Sequence, residues 1–159
     1  MWFDWACDPP CLHVGDREVT DRLRDTDVTS AVSDAAAIAG VRQVLVEHQR
    51  QIGADHPRLV TEGRDQGSVV FPKADVKFYL DASASVRARR RADQIRQAGK
   101  PVDLEAIRQN IVARDHKDTT RVDAPLICPD DAQRIDTSQM TLDQVLDDLE
   151  RRVREAVAA

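Results

Sequence analysis

Two groups of residues in this chain have the types and spacing to do chemistry on an anion. The first is Glu62, Gly63, Arg64 and Asp65, inside the segment TEGRDQGSVVFP (Thr61–Pro72). Arg64 offers a planar fork for phosphate or carboxylate oxygens, and Asp65 beside it can accept from an amino group or hold the arginine in place. Gly63 and Gly67 let backbone come close to a ligand. A structural Arg–Asp pair in a turn explains the same residues. The second group is Arg114, Asp118 and Arg121 in ARDHKDTTRVDAPL. At spacings of four and three they share one face of a helix or its continuation. Two cations flanking one carboxylate suit a ligand that carries both a phosphate and a sugar hydroxyl; a helix-surface salt bridge fits the spacing as well.

The surrounding elements follow from pattern. LHVGDREV alternates about Gly15-Asp16 and predicts a hairpin of Leu12–Val14 with Arg17–Val19. Residues 28–51 have a helical pattern broken near Gly40, and Gly53–Pro57 reads as a linker. RLVTEG predicts a short buried strand ending in the glycine loop that holds Arg64. VKFYLDA predicts another, with Val76, Phe78 and Leu80 on one face. Ser83 caps a helix to about Ala98, stopped by Gly99-Lys100-Pro101, and Asp103 opens one to about Arg114. A short strand surrounds Ile135. Thr141 and Gln144 form a capping box for a last helix, whose stripe is Leu142, Val145, Leu146, Leu149 and Val153. Strands followed by helices, with ligand groups in the loops after the strands, indicate an α/β sheet of the doubly wound kind.

Composition narrows the function classes. The 159 residues are 42% hydrophobic and 32% charged, which suits one globular domain with a small subdomain. No apolar run approaches the roughly 18 residues of a membrane span, and MWFDWACDPPCLHV has no signal-peptide pattern, so the expected location is cytoplasmic. Net charge is −5, which disfavours a nucleic acid polymer as partner. Residues 85–121 nevertheless carry +5 against −10 elsewhere, a basic patch suited to a compact anion. Three cysteines, Cys7, Cys11 and Cys128, read as reduced thiols. Cys7, Cys11 and His13 are too few for a closed zinc site, so no metal site is assigned.

Taken together, EGRDQGSVVFP, ADVKFYLDAS with RARRR, RDHKDTTR leading into APL, and the upstream VTDRLR and AVSDAAAIAGVRQVL resemble the cytidylate kinases over about Leu12–Val153. The resemblance implies transfer of a phosphoryl group from ATP, with Mg2+, to CMP or dCMP. It implies a P-loop nucleoside monophosphate kinase fold. Residues 1–53 would be the remnant of the monophosphate-binding insert, 54–82 and 122–159 the α/β core, and 83–121 the lid region. Position by position, it assigns Ser33, Arg42 and Asp65 to the cytosine ring and Asp118 to the sugar hydroxyls. Arg64, Arg114 and Arg121 fall to the phosphates, with Arg64 and Arg121 the catalytic pair, and Arg87, Arg89 and Arg91 to the lid over ATP. His116, Lys117, Thr119 and Thr120 depart from the family's usual Arg and Asp. The expected partners are small nucleotides, with no membrane, and the full-length form would be a monomer.

A P-loop needs Gly-x-x-x-x-Gly-Lys followed by Ser or Thr, to cradle donor phosphates with backbone N–H groups. Of the six glycines only Gly99 precedes a lysine; Lys100 is followed by Pro101, and Gln94 stands where the first glycine belongs. The resemblance therefore implies a cytidylate kinase truncated at its N-terminus, with its acceptor residues retained.

Overall fold

The computed structural model describes residues 2–35 and 38–158, apart from the side chains of a few helical residues, Ser33 among them. The chain divides between Glu47 and His48 into two compact units.

In the first unit, strands β1 (Trp2–Asp4), β2 (Cys11–Val14) and β3 (Arg17–Glu18) form an antiparallel meander in that order. The expected hairpin is present, with Val14 opposite Arg17. Gly15 turns it at φ +60°, a left-handed conformation that costs glycine little. Leu12 is buried beneath the meander, and its N–H donates to Thr20 Oγ1 at 2.8 Å. β1 escaped the sequence reading because its three residues are too short for an alternation to register. A 3-10 turn (Thr20–Arg24) leads into α1 (Thr26–Ala35), and α2 (Ala39–Asp55) follows. The expected break near Gly40 thus falls between these helices.

In the second unit, β4 (Phe78–Asp81) pairs in parallel with β5 (Gln133–Asp136), Leu80 opposite Ile135. Between them come α3 (Ala84–Gln97) and α4 (Leu104–Thr120), which pack on each other; α5 (Leu142–Ala158) follows. Both expected caps are made: Ser83 Oγ accepts from Val86 N, and Asp103 Oδ1 from Ala106 N. The capping box is reciprocal, Thr141 N donating to Gln144 Oε1 and Gln144 N to Thr141 Oγ1. Arg90 joins α3 to the β5–α5 turn by donating to the carbonyls of Thr137 and Met140. Val70, Ala82, Ala88, Ala92 and Ile135 form the buried apolar core of this unit.

Three expectations require correction. The last turn of α2 occupies residues 53–55, where a linker is expected over Gly53–Pro57. Residues 58–63 form no strand and are exposed, Val60 at 96%; among the described residues no strand lies beside them to complete a ladder. α4 also runs past Arg114 to Thr120, so Asp118 is a helical residue.

After the exposed stretch the chain tightens into a wide π-helical turn, Gln66–Val70, which closes at the buried Val70. Its carbonyls are capped from α2: Arg50 Nε donates to Val70 O at 2.9 Å and Nη2 to Val69 O at 2.7 Å. Gln66 donates to Gln49 Oε1. From the other side comes Lys77, whose ammonium donates to Pro72 O and to Asp131 Oδ2, both at 2.6 Å. A Cβ on Gly67 would lie 3.3 Å from Lys77 Cδ, so the lysine stem runs directly beneath the turn.

Two outcomes follow for this support. A Cβ at Gly53 would lie 2.7 Å from the Phe71 ring. Replacing a helix-interior glycine by alanine ordinarily gains about 1 kcal/mol, but forcing a core apart costs about 1–3 kcal/mol. Gly53→Ala is therefore expected to lower the unfolding midpoint in denaturant, and a raised midpoint would show that Phe71 yields freely. The hydrogen bond from Lys77 holds the Asp131 carboxyl below its ordinary range. A depressed carboxylate pKa stabilises the fold above the unfolded value, and that stability is lost as pH falls through the folded one. The stability difference between the parent chain and Asp131→Asn should be constant above about pH 5 and shrink below about pH 4, near the unperturbed carboxylate value. Urea titrations across pH 2.5–7 would measure it; a difference that grows on acidification would contradict the pairing.

Candidate functional site

The C-terminal half of α4 and the loop before the π turn bring Arg64, Arg114 and Arg121 around one carboxylate. Asp118 is buried, its side chain 13% exposed. Arg64 Nε lies 3.1 Å from its Oδ2, Arg114 Nε 3.8 Å from the same oxygen, and Arg121 Nη1 3.9 Å from Oδ1. The helical spacing of four brings Arg114 over Asp118. Arg121 stands at the C-cap, where its Nε donates to Ala124 O and draws the departing chain back. Leu126 N donates to Asp118 O at 2.7 Å, closing the same turn, and Ala124 adopts φ +49° within it.

This cluster is left incomplete in a specific way. Asp118 Oδ2 is shielded from solvent yet accepts no hydrogen bond, because the nearby guanidiniums are misaligned for one, and Arg121 Nη2 is a shielded donor with no acceptor. Oδ2 keeps the charge contact of Arg64 and Arg114, whereas an unpaired buried donor such as Arg121 Nη2 costs about 1–3 kcal/mol. Three guanidiniums and one carboxylate also sum to an excess of two positive charges. The arrangement can take a ligand that presents a hydroxyl donor to Asp118 and a doubly charged anion to the arginines.

The other residues singled out from sequence lie as follows. Asp65, half-buried, precedes the π turn, and its carbonyl accepts from Val69 and Val70 N–H. Arg42 lies in the first turns of α2, half-buried, and belongs to the first unit. Ser33 lies in α1 of that unit, and its side chain is outside the described part. On α3, Arg89 and Arg91 are exposed. Arg87 is engaged: its Nη1 and Nη2 donate to the two Asp115 oxygens at 2.9 and 2.6 Å, and its Nε to Ala82 O. His13 stacks on Trp2 with ring centres 4.3 Å apart. Among the described residues no three His, Cys, Asp or Glu gather as a metal-ligand set, and no helix is long and apolar enough to cross a membrane.

Sequence reasoning missed Arg50, Lys77 and Asp115. Lys77 stands on the opposite face of VKFYLDA from Val76, Phe78 and Leu80, where a polar residue reads as solvent-facing, yet it proves buried. Arg50 and Asp115 had no signal, because their partners are distant in sequence.

Over most of its length the chain is similar to known proteins. The cytidylate kinase family model matches residues 3–155. The chain is 47% identical to a cytidylate kinase of Desulforamulus reducens over 132 residues, covering 83% of this chain and 59% of that protein. It is 42% identical to one of Nocardia farcinica, covering 92% of this chain and 63% of that protein. With one of Mycobacterium avium it shares 43% identity over 98% of this chain and 68% of the relative. The chain thus spans about three-fifths of the length of the first two. Matching residues run from the meander to α5 and include the whole Arg64–Arg121 region, and the chain belongs to the cytidylate kinase family.

Proposed function

We propose that this chain binds CMP or dCMP through the Asp118 cluster and takes part in transferring the γ-phosphoryl of ATP to the nucleotide's 5′-phosphate. The observation that carries this reading is the pair of shielded, unmatched atoms, Asp118 Oδ2 and Arg121 Nη2, within an excess of two positive charges. A phosphate monoester carries about −1.5 to −2 at pH 7, which balances that excess, and a sugar hydroxyl beside it supplies the donor that Asp118 requires. Arg64, Arg114 and Arg121 hold the phosphate, Arg64 and Arg121 nearest the reacting oxygens, and Asp118 holds the sugar. Ser33, Arg42 and Asp65 take the base, on the strength of the resemblance. An aspartate acceptor favours the amino edge of cytosine over the carbonyl of uracil.

Neutralising the charges and fixing the acceptor phosphate in line are what such residues contribute, since phosphoryl transfer depends on positioning and electrostatics. ATP and Mg2+ belong to the same reading. Mg2+ would be held chiefly by the nucleotide phosphates. Arg87, Arg89 and Arg91 are the arginines of α3 that the resemblance assigns to the donor side. Location in the cytoplasm and a monomeric state also belong to this reading.

A second reading keeps the CMP site without transfer. It concerns these 159 residues as a separate polypeptide, since they contain no Gly-x-x-x-x-Gly-Lys segment for the donor phosphates. Calorimetric titration with CMP and cytidine, beside a coupled kinase assay, separates the two. Arg121→Ala should weaken CMP about tenfold or more, because a hydrogen bond to a charged group contributes about 1.5–3 kcal/mol, while changing cytidine affinity little. Asp65→Ala should weaken both ligands with little loss of thermal stability. Equal losses for CMP and cytidine in Arg121→Ala would mean that Arg121 holds no phosphate. CMP binding without turnover would select the second reading.

A further inference from the structure

The Asp118 cluster works only if α4 is fixed about its own axis. Asp118 is the one fully buried residue of α4; Ile107, Ile111 and Asp115 along the same side are half-buried, so apolar packing sets the rotation of the first turns and a charged pair has to set it near the site. Its other ion pairs do not anchor it to another helix: Glu105–Arg108 is internal to α4, and Arg64 reaches it from a loop. Among the described residues, the charged bridge from α3 to α4 is Arg87–Asp115.

That bridge has unusual reach. Arg87 spends both terminal nitrogens on Asp115 and its Nε on the Ala82 carbonyl, at 2.9 Å or less in each case. One side chain therefore ties the end of β4, the first turns of α3 and the middle of the binding segment of α4. Both partners are about one-third exposed, at 34% and 31%. Asp115 directly follows Arg114 and precedes Asp118 by three residues, which is about 4.5 Å along the axis. With side-chain tips about 5–6 Å from the axis, a rotation of about 10° would carry the Asp118 carboxylate about 1 Å. A misplacement of that size can cost about a hundredfold in a reaction.

We propose that Arg87 and Asp115 are positioning residues for the CMP site, setting the rotation of α4 that aims Arg114 and Asp118, and that Arg87 is not a donor-nucleotide ligand. The inference rests on the CMP reading above. It moves Arg87 from the lid over ATP, where the resemblance put it, to the acceptor side, and leaves Arg89 and Arg91 facing the donor.

The test uses the intact chain and three variants. Arg87→Lys keeps the charge but loses the fork, and Asp115→Asn keeps the shape but loses the charge. Arg90→Lys weakens a comparable clamp, from α3 to Thr137 and Met140, that does not touch α4. CMP affinity is measured by calorimetry, donor affinity with ATP, and helix anchoring by amide exchange at residues 114–120 relative to α5. Arg87→Lys and Asp115→Asn should each weaken CMP about tenfold, leave ATP affinity within twofold, and speed exchange in 114–120 but not in α5. Arg90→Lys should leave CMP within twofold at a similar loss of thermal stability. CMP affinity unchanged in Asp115→Asn, or loss of ATP affinity confined to Arg87→Lys, would overturn the proposal. If the parent chain binds no CMP, the CMP reading falls, while unchanged exchange in 114–120 would separately refute the clasp.

Discussion

A single buried carboxylate facing three guanidiniums governs the organisation of the second unit. Burying Asp118 is costly unless cations compensate it, and three lie within 4 Å. They overcompensate, and none is aligned to satisfy Oδ2. A cluster serving stability alone would be expected to balance its charges and close its hydrogen bonds. This one retains a positive excess and two unmatched atoms of opposite kind, which suits ligand capture better than structural pairing.

Holding that cluster together requires three elements distant in sequence. α4 and its C-cap provide Arg114, Asp118 and Arg121. The loop ahead of the π turn provides Arg64, and that turn is braced by Arg50 from α2 and by Lys77, the residue before β4. The α3 helix, anchored on the parallel β4–β5 pair through Arg90, reaches α4 through Arg87. Much of this bracing is polar. The buried core contains small side chains, with Val70 the largest that is fully buried, so long arginines and a lysine span distances that larger apolar residues would fill elsewhere. Leu142, Leu146 and Val153 of the α5 stripe remain substantially exposed, at 73%, 54% and 40%.

The parts legible in the sequence were those set by local physics. Ser83, Asp103 and the Thr141–Gln144 box marked helix starts because capping is decided within three residues, and Gly15-Asp16 marked the β2–β3 turn for the same reason. The spacing of Arg114, Asp118 and Arg121 was legible because a helix converts spacing into a shared face. Residues 58–63 were misread because an apolar run indicates a strand only if another strand lies beside it, which no local pattern records. α4 was ended too early because Asp115, His116, Lys117 and Asp118 look like a solvated exit, whereas the helix continues and buries Asp118. The roles of Arg50, Lys77 and Asp115 depend on Val69 and Val70, Asp131, and Arg87, partners 19–54 residues away, and were invisible for that reason.

The central claim is that Arg64, Arg114 and Arg121 together receive a phosphate monoester beside Asp118. The most direct measurement follows the side-chain Nε–Hε signals of the arginines by 15N–1H correlation spectroscopy during titration with CMP and, separately, with cytidine. The account predicts that the Arg64, Arg114 and Arg121 signals move with CMP along a common saturation curve, and that cytidine at equal concentration leaves all three nearly in place. Signals that remain fixed with CMP, or that move equally with cytidine, would contradict it.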